Sequence, residues 1–96
     1  MGKIKIAEQD IVNAICLHAA SSKKISPEEV KVELMYDDEY GYSAEIYWSG
    51  RKQILAAAHL IEALRFWIEA ELNMDPYAAR IDLVLDDEEG IIAFVW

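Results

Sequence analysis

Two acidic runs are the first places where side chains could do chemistry: Asp37-Asp38-Glu39, with Gly41 close behind, and Asp86-Asp87-Glu88-Glu89, followed by Gly90. Clustered carboxylates suit a divalent cation or general acid–base work. Calcium, however, takes about six to eight oxygens, and its loops alternate ligands with spacers. Consecutive carboxylates splay apart, so the plainer expectation is a solvated hairpin tip whose charges keep sheets from aggregating. Cys16 and His18 stand two positions apart. On a helix such residues do not face each other, which removes the simplest thiolate–imidazole pair. Cys16 is expected to be a small, buried, inert residue. His18 and His59 have no ligand spacing to each other and are expected at helix borders. The four glycines are scattered, so there is no glycine-rich phosphate loop. These residues nominate no catalytic group, no metal ligand and no cofactor.

The composition narrows the partners. The chain has 96 residues, which predicts a single domain spanning 1–96. Its formal charge is −9, a field that repels phosphate backbones and anionic membranes. Neither nucleic acid nor membrane is expected as a partner. A lone cysteine makes no internal disulfide and points to a reducing compartment. The start Met1-Gly2-Lys3-Ile4-Lys5 lacks the apolar run of an export signal, so the expected location is the cytoplasm. Three Trp and five Tyr exceed what one small core needs, which suggests that some apolar surface meets a partner.

Hydrophobic spacing supplies the elements. Ile11, Val12, Ala14, Ile15 and Ala19 recur at helical spacing and predict a helix from about Glu8 to Ala20. Ser26-Pro27-Glu28-Glu29 carries a capping-box signature, with room for one turn only. Val32, Leu34 and Tyr36 alternate with Lys31, Glu33 and Met35, a strand of period two. A second strand places Tyr42, Ala44, Ile46 and Trp48 on one face, and Arg51 to Leu55 reads as a short third. Leu60, Ile61, Leu64, Ile68 and Leu72 form the stripe of a second helix from about Ala56 to Leu72, which Asp75-Pro76 stops. Strands at about Arg80–Leu85 and Ile91–Trp96 complete the chain. The order of helix, three strands and helix is shared with double-stranded-RNA-binding domains, but those need a basic surface that is absent here.

The two halves also match each other without a gap. Lys3 falls on Lys52, Ala14 on Ala63, Pro27 on Pro76 and Leu34 on Leu83, and the turn Asp37-Asp38-Glu39-x-Gly41 falls on Asp86-Asp87-Glu88-x-Gly90. Chance alternation does not easily add the helix stripe and the proline in one register. The expectation is therefore α+β: two tandem helix-plus-hairpin repeats, about 1–49 and 50–96, sharing one antiparallel sheet with both helices on one face.

The runs Glu8–His18, Glu33–Gly41, Arg51-Lys52-Gln53, Leu60–Leu64, Leu72–Ala79 and Leu85–Ala93 resemble the YxcD-like proteins, short acidic proteins of Bacillus and relatives. The likeness covers nearly the whole chain. It implies a bacterial, cytoplasmic protein, and it carries no catalytic or binding residue across.

The repeat register places Arg80, Asp82, Val84, Ile92, Phe94 and Trp96 on the side of the second hairpin that points away from the helices. Val84, Ile92, Phe94 and Trp96 form the candidate interface, unless a loop or the N-terminus covers them. The resulting expectation is a small non-enzymatic protein-interaction module that forms a homodimer. One alternative is an acidic decoy or inhibitor that binds a basic protein surface. The other is a small metal-binding protein or enzyme that uses the two acidic turns.

Overall fold

The computed structural model describes residues 3–96. Met1 and Gly2, which open the stretch read for an export signal, lie outside the described residues. The elements are β1 (Ile4–Ile6), α1 (Glu8–Lys23), β2 (Lys31–Asp37), β3 (Gly41–Trp48), β4 (Arg51–Ala56), α2 (Ala57–Leu72), β5 (Ile81–Asp86) and β6 (Gly90–Val95), with a single 3-10 turn at Pro27–Glu29.

Helix α1 begins with Glu8 and Asp10 and ends with Lys23, each sign at the end where the helix dipole favours it. It runs three residues past the expected stop at Ala20. Lys24 then adopts a left-handed conformation (φ 58°), and the Ile25 amide closes back on the Ala20 carbonyl at 3.0 Å. At the 3-10 turn, Glu29 reaches back to accept the Ser26 amide at 2.9 Å, as the capping-box pattern predicts. Helix α2 stops at Asn73, also left-handed at φ 55°.

The buried stripes of the helices are Ile11, Ala14 and Ile15 on α1 and Leu60, Ala63, Leu64 and Ile68 on α2. The helices lie against each other, α1 also on β2 and β6, α2 also on β3 and β4. Ala44, Ile46, Ala93 and Val95 meet them from the strands. Each fully buried Leu or Ile contributes about 1.5–3 kcal/mol, so this one cluster carries the fold. Among the described residues no polar or charged residue is buried, and no helix is long and apolar enough to cross a membrane.

The sheet arrangement corrects the expectation of one antiparallel sheet. There are two three-stranded antiparallel sheets, ordered β1-β6-β5 and β2-β3-β4. The reason is the strand before each helix. β1, which alternation over three residues did not reveal, pairs with β6 (Ile4 opposite Val95, Ile6 opposite Ala93), and β4 pairs with β3 (Gln53 opposite Ile46, Leu55 opposite Ala44). Each hairpin is thus completed by the strand preceding the other half's helix, and the edges are β1 and β5 in one sheet and β2 and β4 in the other. The edges β2 and β5 carry charge, Lys31 and Glu33 on the first and Asp82 and Asp86 on the second, which disfavours further pairing there.

Candidate interaction surface

The side of the β1-β6-β5 sheet away from the helices holds the four residues proposed from sequence. Val84 and Ile92 lie directly opposite each other, and Phe94 lies between Asp82 on β5 and Lys5 on β1. They are not equally open. Ile92 is only 3% exposed, Val84 and Phe94 are half-buried, and Trp96 is 44% exposed. Much of the cover comes from long cationic side chains, whose stems lie along apolar surface while their heads stay wet. Lys3 Nζ stands 4.5 Å from the Phe94 ring centre and 5.5 Å from that of Trp96, and the Arg80 guanidinium is 5.3 Å from the Trp96 ring. Lys5 pairs with Phe94 across the strands, and its ammonium reaches Glu89 at 2.7 Å. Arg80 also meets Asp82 at 3.6 Å. Three cations and two carboxylates therefore ring an aromatic centre, a local balance unlike the −9 of the whole chain.

In each acidic turn the first carboxylate is committed to the backbone. Asp37 accepts the amides of Glu39 (2.7 Å) and Tyr40 (3.1 Å); Asp86 accepts those of Glu88 (3.0 Å) and Glu89 (2.8 Å). The amides of Glu89 and Glu88 favour the ionised form and hold the Asp86 carboxyl below its ordinary range. Among the described residues no three His, Cys, Asp or Glu side chains are grouped to hold a metal ion. Cys16 is half-buried, with its sulfur 3.7 Å from the Val30 carbonyl, and burial pushes its thiol pKa up. That keeps it protonated and a poor nucleophile. His18 packs edge-on to Phe66 (5.7 Å) and lies 3.9 Å from Glu62. The fold brings His59 to the rim of the same cleft, of about 200 Å³, although nothing in the spacing linked the two histidines.

A second apolar surface was missed from sequence. At the tip of the first hairpin, Met35, Tyr36, Tyr40, Tyr42 and Ile54 line a cleft of about 580 Å³ together with Asp37. Tyr40 is 84% exposed and Ile54 61%. Tyr36 and Tyr42 are paired across the strands with ring centres 4.9 Å apart. The equivalent place on the second hairpin is closed by the Lys5–Glu89 pair and by Glu8, whose carboxylate accepts the Ile91 amide at 3.0 Å. Aligning the halves puts Ile54 at the place of Lys5, Tyr40 at that of Glu89 and Ala57 at that of Glu8. That alignment was the available signal.

A family model described as "Protein of unknown function (DUF2653)" matches residues 1–88. The chain belongs to this family. A relative from Bacillus subtilis (strain 168), "Uncharacterized protein YxcD", is 28% identical over 95 residues, covering 98% of this chain and 93% of the relative. The resemblance drawn from the acidic turn and helix segments is thus a family relationship along nearly the full length. No solved structure matches the chain.

Proposed function

We propose that this protein is a small non-enzymatic interaction module, built from two tandem copies of one strand–helix–hairpin unit, that forms a homodimer through the outer face of its β1-β6-β5 sheet. The reading rests chiefly on the character of that face. Two chains of charge −9 repel, so they meet most cheaply where charge is locally balanced and an aromatic centre can be dried. A twofold contact is self-complementary, and the Lys5–Glu89 and Arg80–Asp82 pairs allow each cation to face a carboxylate of the other copy. Trp96 and Phe94 would be the anchors, since buried aromatics dominate interface energy.

Support for the tandem units comes from register. Both helices have sixteen residues, and they start forty-nine positions apart, at Glu8 and Ala57. The same offset maps Val32↔Ile46 onto Ile81↔Val95 and Asp37↔Gly41 onto Asp86↔Gly90. It also maps the left-handed Lys24 onto Asn73.

Replacing Phe94 by Glu tests the interface. It puts a third carboxylate into the proposed contact at a half-buried position, so the fold should survive while the dimer does not. Light scattering during size-exclusion chromatography should show the mass halving, with the circular dichroism spectrum unchanged. A variant that keeps the wild-type assembly removes this face as the interface.

A further inference from the structure

We propose that the cleft at the tip of the first hairpin is a docking surface for an extended basic segment of a partner protein, one carrying arginine or lysine between apolar residues. The surface is distinct from the proposed dimer face, so the inference goes beyond that reading.

The cleft has the composition of an interface centre, where Tyr and Met are enriched. Tyr40 and Ile54 are large and among the most exposed apolar side chains of the chain. The second hairpin shows that this openness is not imposed by the fold. There the same positions carry Lys5 and Glu89, bridged at 2.7 Å, and Glu8 fills the space beside Gly90. Beside Gly41 the space is open. The first hairpin thus exposes apolar surface where its counterpart is sealed by charge pairs.

Electrostatics select the occupant. Asp37 lines the cleft, Asp38 and Glu39 follow it in the turn that leads to Tyr40, and among the described residues that line it there is no Lys or Arg. A second copy docking here would bring two such turns together. A phosphate backbone or an anionic membrane would meet the same repulsion. A guanidinium or ammonium instead meets the acidic turn that begins at Asp37 and the tyrosines that line the cleft, where cation–π attraction adds to apolar contact. The segment should be extended because β4, which carries Ile54, is an edge strand whose residues are largely exposed.

Fluorescence anisotropy of labelled synthetic peptides titrated with the unaltered protein tests this. The probes are an alternating Arg-Leu octapeptide, an Arg-Ser octapeptide of equal charge and a Glu-Leu octapeptide. Saturable binding of the Arg-Leu peptide is expected, weaker by about tenfold for Arg-Ser and absent for Glu-Leu. Tyr40→Ser and Ile54→Ser should each weaken Arg-Leu binding by about tenfold; both side chains are exposed, so the fold is not at stake. Phe94→Glu should leave binding intact even if it splits the dimer, which separates failure of this inference from failure of the homodimer. Equal affinity for Arg-Leu and Arg-Ser, indifference to Tyr40 and Ile54, or no saturable binding would overturn it. So would a dimer that Tyr40→Ser converts to monomer, because the occupant would then be a second copy.

Discussion

Glu8 and Gly90 show how single residues make two similar turns behave differently. Gly41 and Gly90 both sit at positive φ, 78° and 79°, where a side chain costs about 1–2 kcal/mol. A Cβ at Gly41 would meet open space, whereas at Gly90 it would stand 2.6 Å from the Glu8 carboxylate and displace it from the Ile91 amide. Gly90→Ala should therefore destabilise by about 1–2 kcal/mol more than Gly41→Ala, the worth of a hydrogen bond to a charged group. Urea unfolding of the two variants checks this, and the excess should vanish in a Glu8→Ala background. The glycines and their turns were legible in the sequence because the acidic run and the glycine recur at one spacing. The Glu8 contact was not, since a helix-opening acid looks like a partner for the helix dipole and nothing local points it at a distant turn. Tyr47 is another residue whose state is set by a neighbour: its hydroxyl donates to Glu45, which pushes the phenol pKa up to about 12. Any stability from that bond is complete below the ordinary phenol range and is lost as pH climbs through about 12.

At the scale of elements, the segment between α2 and β5 is tied back to α2 by Arg65. The Arg65 guanidinium donates to the Pro76 carbonyl and, at 3.0 Å, to the Ala79 carbonyl. Shifted by the repeat offset, Arg65 becomes Cys16, Ala79 becomes Val30, and the Cys16 thiol lies against the Val30 carbonyl at 3.7 Å. The proposed duplication thus keeps the position of the contact while changing its strength. Arg65→Ala should cost about 2 kcal/mol, from charge-assisted bonds lost and carbonyls left without partners, and Cys16→Ala less than about 1 kcal/mol. Chemical denaturation measures both, and faster amide exchange confined to residues 76–80 would locate the first. The helices and the five longer strands were readable because alternation and helical stripes are local signals. β1 was not, since Ile4-Lys5-Ile6 is too short to establish a period. The division into two sheets was also hidden, because which strand completes which hairpin depends on how the halves cross. The same crossing decides what lies beside each turn, and so concealed the open cleft of Tyr40 and Ile54.

For the whole molecule the governing facts are a charge of −9 and an apolar share of 54% in only 96 residues. The proposed dimer places its contact where the repulsion is least, at a face where Lys3 and Arg80 stand over Phe94 and Trp96 and Lys5 pairs with Phe94 across the strands. Composition made surplus apolar surface legible, and alternation assigned it to the outer face of the second hairpin. It did not reveal that Ile92 would be covered and Trp96 left as the most open of the four. The contact proposed there is apolar at its centre, so salt should screen the repulsion between chains without weakening it. The most direct measurement is the mass of the unaltered protein by light scattering, at a concentration on the order of tens of micromolar, in low and in high salt. A mass twice the 10.9 kDa of the chain, held or strengthened by salt, is the predicted result; a monomer under both conditions would contradict the homodimer.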